Sequence, residues 1–136
     1  ILGGVSGHAG LFSNANDIAK IMQMYLWKGS YGSITYLRPE TLDLFNTCNY
    51  CDVDVRRGVG FDKPQLKDVG PTCGCVSMDS FGHSGFTGTF TWADPEEDII
   101  YVFLSNRTYP DATNRKIIKN NLRSDIQELI YQSIEY

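Results

Sequence analysis

Nowhere in these 136 residues is there an apolar run long enough to cross a bilayer, and no secretory signal opens the chain. Positive charge is scarce as well, with 12 Lys and Arg against 16 Asp and Glu for a net charge of −4. A pI near 5.0 and the lack of a basic stripe to neutralise phosphates argue against nucleic acid as a partner. The one basic cluster, Arg115, Lys116, Lys119 and Arg123, falls at helical spacing beside Asp125 and Glu128 and reads as a solvated helix face. Repeats, low-complexity tracts and internal linkers are missing, so one domain's worth of material is expected. An initiator methionine is missing too. The chain opens at Ile1-Leu2-Gly3-Gly4 and is expected to be a piece of something longer.

What remains is an ordinary globular composition, 42% hydrophobic and 21% charged, able to bury a useful core. A glycine-rich stretch ends at Leu11-Phe12, and Ser13 or Asn14 is placed to cap a helix with Asp17 in its first turn. Ile18, Ile21, Met22, Tyr25 and Leu26 keep one apolar face, and Gly29 stops the run. Met22, Met24 and Tyr25 read as helix surface and core. Tyr31 to Leu37 reads as a turn or hairpin, and Pro39 starts a second helix with Leu42 and Phe45 facing inward. Residues 46–57 are polar and irregular, Gly58 to Phe61 reads as a short strand, and Pro64 to Asp79 as a long loop. From Phe81 the period becomes two. Phe90 and Trp92 mark one strand, Asp94 to Asp98 a turn, and Ile99 to Leu104 a strand buried on both faces under packed helices. A single helix from about Asn114 to Ile134 is expected to close the chain, with Ile118, Leu122, Ile126, Leu129 and Ile130 inward.

Chemistry concentrates in Phe81-Gly82-His83-Ser84-Gly85-Phe86-Thr87-Gly88-Thr89, which holds one of only two histidines. Neighbours on a strand point to opposite faces, so His83 does not activate Ser84 directly. Both would act as accessories, lining a pocket or lending a backbone N–H to an oxyanion; a plain glycine-rich hairpin is the competing reading. His8 sits in a glycine loop and reads as a capping or packing residue. Asn106-Arg107-Thr108 matches a glycosylation acceptor and reads as a strand end without sugar. The cysteines form two close pairs, Cys48-x-x-Cys51 and Cys73-x-Cys75. They suit a closed Cys₄ structural zinc site, one or two disulfides, or free thiols, and in the first two cases they staple a loop.

His83-Ser84-Gly85-Phe86-Thr87-Gly88-Thr89 resembles the third signature of the serine β-lactamase and penicillin-binding-protein-like family, which includes class C β-lactamases and related esterases. That signature is Lys-Thr-Gly in β-lactamases and His-Thr-Gly or His-Ser-Gly in many esterase-like members. Gly7-His8-Ala9-Gly10-Leu11-Phe12-Ser13, followed by Ala15 to Ala19, resembles a helix start of the same family. Leu37-Arg38-Pro39-Glu40-Thr41 resembles its Leu-Ser-Pro-Glu-Thr helix start, and Arg57 to Phe61 its Gly-Leu-Gly-Phe strand. Trp92-Ala93-Asp94-Pro95 and Phe103 to Arg107 resemble the two strands that follow. The blocks keep the family's order and spacing over most of the chain.

The resemblance implies an α/β (more narrowly α+β) fold of the β-lactamase/transpeptidase type, an antiparallel sheet of about three strands flanked by helices. It implies that residues 1–136 are the C-terminal portion of one such domain, without its N-terminal strands and nucleophile helix. The family nucleophile lies in Ser-x-x-Lys, and no serine here has lysine at that spacing. The chain alone is therefore expected to be inactive. By position, Ser84 would bind the substrate's carboxylate or carbonyl. His83 stands where β-lactamases have lysine, which favours ester or amide substrates, and Gly85 completes the triplet. The Phe86 N–H would be one of two oxyanion donors. Implied partners are a small ester, amide or peptidoglycan-derived substrate, the missing half of the domain, and an upstream glycoside hydrolase domain of the kind that some family members follow. An exposed sheet edge would promote self-association. No catalytic cofactor is implied, and the compartment would be bacterial periplasm or cell surface. A non-catalytic binding module stapled by zinc or disulfides is the alternative.

Overall fold

The computed structural model describes residues 3–4, 6–65 and 70–134, and the account of the structure concerns those residues. Its elements run α1 (Ala15–Leu26), β1 (Ser30–Tyr31), β2 (Ile34–Thr35), α2 (Pro39–Asn46), a 3-10 turn (Cys51–Val53), β3 (Phe81–Ser84), β4 (Phe90–Asp94), β5 (Ile99–Phe103), α3 (Lys116–Lys119) and α4 (Leu122–Gln132).

Capping chemistry sets where α1 starts. Asn14 is extended, and its Oδ1 accepts from the Asp17 N–H at 3.0 Å. Its Nδ2 returns a bond to the Asp17 carboxylate at 2.8 Å, and Lys20 pairs with the other carboxylate oxygen at 2.8 Å. Asp17 thus lies where the helix dipole and an ammonium both favour its charge. At the far end Gly29, at φ +95°, donates to the Met24 carbonyl at 2.8 Å and turns the chain out of the helix.

The main sheet is antiparallel in the order β3-β4-β5. Its register puts Phe81, Ala93 and Ile100 in one row and Gly82, Trp92 and Tyr101 in the next. Alternation sends the two rows to opposite faces. α1 covers the first through Met22, Ile18 and Tyr25, and α4 covers Phe90, Trp92 and Tyr101 through Ile126 and Ile130. Met22 and Trp92 are almost wholly buried, and each such side chain contributes roughly 2–3 kcal/mol. Gly82 is needed where it stands, because a Cβ there would run into the Trp92 ring and the Thr91 carbonyl.

Several expectations change. Gly58 to Phe61 is no strand. The Gly58 N–H donates to the Phe61 carbonyl and the Val59 N–H to the Phe45 carbonyl, so neither serves a ladder. Pairing falls one residue later, at an isolated bridge between Asp62 and Gly82 on the outer edge of β3. The closing helix breaks in two. Asn121, at φ +51°, adopts the left-handed backbone that asparagine tolerates and divides α3 from α4. The buried face of α4 is also rotated from the expected one. Ser124 and Gln127 are buried with Ile126 and Ile130 partly so, while Ile118, Leu122 and Leu129 stay exposed. Partners explain the rotation, since Gln127 Oε1 accepts from the Cys73 N–H at 3.0 Å. Phe45 is half exposed beside a buried Leu42. β5 buries only Tyr101 fully, because it is the outer strand of the sheet. Arg123 leaves the solvated cluster and lays its guanidinium 5.5 Å from the Phe90 ring centroid.

Candidate functional site

The stretch singled out by its histidine begins as β3 and ends as a tight turn. His83 pairs with Thr91 and Ser84 with Phe90, after which the ladder stops. The Gly85 N–H donates to the Thr89 carbonyl at 2.7 Å and the Gly88 N–H to the Gly85 carbonyl at 3.0 Å. Gly88 takes φ +95° and leaves no room for a side chain, since a Cβ would stand 2.5 Å from Ser105 Oγ. The turn is held from outside by Arg107, whose N–H donates to the Thr87 carbonyl at 2.9 Å. The Arg107 guanidinium is fixed by the carbonyls of Ala112 and Asn114, at 3.1 and 2.8 Å.

A cavity of about 310 Å³ opens at this end of the strand. His83, Ser84 and Gly85 line it together although the first two start on opposite faces, because the strand ends there. Leu11, Ser13 and Ile18 close the other side, so the glycine-rich N-terminal loop and the first turn of α1 form the second wall. Phe86 does not line it. Its ring is 75% exposed and lies 4.6 Å from the Arg107 guanidinium carbon. Among the described residues the Phe86 N–H has no hydrogen-bond partner.

The histidine is positioned by two contacts. Nδ1 lies 2.8 Å from the Ser84 carbonyl oxygen, which only accepts, so the proton sits on Nδ1. Nε2 then accepts from Arg57 Nη2 at 3.4 Å. Arg57 is anchored in turn by Asp62, with Nε 2.7 Å and Nη2 2.5 Å from Oδ1. This Asp62–Arg57–His83 chain was not singled out from sequence. Its two outer members are 21 residues apart, and only the bridge of Asp62 to Gly82 brings them to one strand edge.

The four cysteines do not gather. Cys48 is bonded to Cys51 and Cys73 to Cys75, the disulfide alternative, and no described group of three or more His, Cys, Asp or Glu could hold a metal ion. His8 is exposed, its backbone N–H donating to Ser6 Oγ at 3.2 Å. No described helix is long and apolar enough to cross a membrane.

A protein of Escherichia coli (strain K12) named "Putative D-alanyl-D-alanine carboxypeptidase" is 41% identical over 109 residues, which are 79% of this chain and 25% of that protein. A protein of the same name from Salmonella agona (strain SL483) is 38% identical over 88% of this chain and 27% of its own length. The chain thus spans about a quarter of the length of the curated relatives it matches. Among solved structures, a β-lactamase from Mycobacterium bovis superposes with a TM-score of 0.65 at 21% identity, over 88% of this chain and 44% of that one. That is likeness of fold. The model of the β-lactamase family matches residues 2–123, from the glycine loop through β3 and β5 to the start of α4, and the chain belongs to that family.

Proposed function

We propose that this chain supplies the His-Ser-Gly wall of a serine hydrolase site that works through an acyl-enzyme, with the nucleophile provided by sequence outside these 136 residues. The observation that carries this reading is the convergence of His83, Ser84 and Gly85 with Leu11 and Ser13 around one cavity. In acyl transfer a serine oxygen adds to the substrate carbonyl, and the oxyanion needs donors already in place. The Phe86 N–H, without a hydrogen-bond partner among the described residues, would be one such donor, although Phe86 itself does not line the cavity. Ser84 would hold the substrate's carboxylate or carbonyl. His83, fixed by Arg57, would present an imidazole where β-lactamases present lysine. The names of the relatives support D-alanyl peptides from peptidoglycan as acyl donors, with carboxylic esters as the next class to assay. The paired cysteines favour the periplasm or cell surface. Metal analysis and non-reducing gels separate that pairing from a zinc knuckle.

Intact mass after exposure to a fluorophosphonate tests the reading, comparing this chain with one extended upstream by the rest of its gene. The longer protein is expected to gain one label and this chain none. Ser84→Ala in the longer protein should keep the label while hydrolysis of D-alanyl peptide slows at least tenfold, the loss expected for a substrate-holding hydroxyl. If neither protein is labelled, the hydrolase reading fails and a non-catalytic binding module replaces it. Labelling of this chain at Ser84 would make that residue the nucleophile.

A further inference from the structure

A second cavity, of about 400 Å³, lies at the other end of α1 and shares no lining residue with the first. Two of its walls are unusual. Arg56 and Lys63 both line it and are only 9% and 6% exposed. Buried cations are ordinarily paired, because an isolated charge in an apolar surrounding is strongly unfavourable. Neither takes part in the ion pairs found among the described residues, which join Lys20 to Asp17, Lys28 to Asp43 and Arg57 to Asp62. Arg56 Nε donates to the Pro64 carbonyl, and its two Nη nitrogens have no partner among the described residues. Lys63 Nζ donates to the Asp79 carbonyl at 2.9 Å and lies 5.7 Å from the Phe81 ring centroid, which leaves further N–H groups to satisfy. The backbones are tied as well, the Lys63 N–H donating to the Arg56 carbonyl at 3.1 Å, so the two cations are held as neighbours.

From this geometry we infer that the cavity between Arg56 and Lys63 binds a small oxyanion, a carboxylate or a phosphate. The guanidinium fork and the ammonium match the paired oxygens of such a group. The other charges around the cavity do not neutralise the pair. Lys28 and Asp43 are spent on each other at 2.7 Å, and Asp79 is the one remaining carboxylate on the lining. Asn46 Oδ1, also on the wall, is buried without a donor among the described residues, which suits an anion that carries a hydroxyl as well. The surroundings of Lys63 disfavour its charge. Burial above all, then the charges of Arg56 and Lys28, outweigh the pull of Asp79 and lower its pKa to about 8. A bound oxyanion would reverse that.

The site stands apart from the proposed hydrolase, so it is tested on this chain with no substrate. The side-chain signals of Lys63 and Arg56 are followed by NMR during titration with inorganic phosphate, and separately with acetate, against chloride at constant ionic strength. Saturable shifts with phosphate or acetate, and a rise in the pH midpoint of Lys63, are expected. Saturation by phosphate alone assigns a phosphate-bearing ligand, and saturation by acetate a carboxylate. Lys63→Met should weaken binding at least tenfold while the amide spectrum shows an intact fold, and Arg56→Lys, which keeps the charge but loses the fork, should weaken it less. Shifts that follow ionic strength alone, or an affinity unchanged in Lys63→Met, overturn the inference. The fluorophosphonate result is unaffected either way.

Discussion

A carboxylate with no exposed surface must find its donors inside the protein, and Asp94 finds four. The Ser77 N–H and hydroxyl approach at 2.7 and 2.5 Å, the Glu96 N–H at 3.1 Å and the Tyr131 hydroxyl at 2.6 Å. Burial pushes its pKa up, but the hydrogen bonds from Ser77, Tyr131 and the two backbone amides together outweigh it and hold the carboxyl below its ordinary value. A folded-state pKa below the unfolded one adds stability that is complete above the unfolded value, near 4, and is lost as pH falls through the folded value. Asp94→Asn should therefore cost about 1–3 kcal/mol at neutral pH, as expected when a charged acceptor is lost from buried donors. It should also flatten the acid limb of the stability profile, measured by denaturant unfolding between pH 7 and 3. In the sequence Asp94 is only the first residue of a turn. Its side-chain partners, Ser77 and Tyr131, lie 17 and 37 residues away, a separation that no local pattern reports.

Among the elements, α1 was the most legible. Cap, dipole charge, apolar face and stop glycine all point to the same helix, and the structure shows it from Ala15 to Leu26 with Asn14 as its cap. β4 announced itself equally well, because Phe90 and Trp92 alternate with Thr91 and are both buried on one face. The C-terminal helix was misread for a physical reason. Its isoleucines and leucines fit a helical stripe, yet α4 turns Ser124 and Gln127 inward, where the tertiary hydrogen bond from the Cys73 N–H to Gln127 outweighs the stripe. The adjacent pair Asn120-Asn121 was the available signal for the break. Gln127→Met, similar in length but unable to accept, should leave the Cys73 N–H unsatisfied and destabilise by about 1–3 kcal/mol, with the loss read from chemical denaturation. Of the candidate site, the β3 triplet was legible as a motif. The Arg57–Asp62 support was not, since it depends on one bridge at the strand edge.

On the scale of the whole molecule, the sheet is unequal at its two sides. β3 has its outer edge touched by Asp62 through Gly82, whereas β5 ends the sheet among the described residues. A row of unpaired N–H and C=O groups on a strand with exposed apolar neighbours, Leu104 among them, is a template for a further strand. Self-association through this edge is the expected behaviour of the isolated chain. Light scattering coupled to size-exclusion chromatography should show a mass that rises with concentration, and a monomer throughout would refute the edge argument. The disulfides do not change this expectation, because each closes a loop of only a few residues. By the chain-entropy model such a loop stabilises by about 2 kcal/mol or less.

Those same short loops leave the chain topologically open. Cys48–Cys51 and Cys73–Cys75 span separations of 3 and 2 residues, so neither encloses a strand nor threads another segment. A polypeptide that completes the sheet beside β5 could therefore arrive as a separate molecule as readily as through a peptide bond. Covalent continuity would contribute only effective concentration. The domain would then tolerate being split in two and reconstituted by mixing, at the cost of dilution and of competition from self-pairing at the β5 edge.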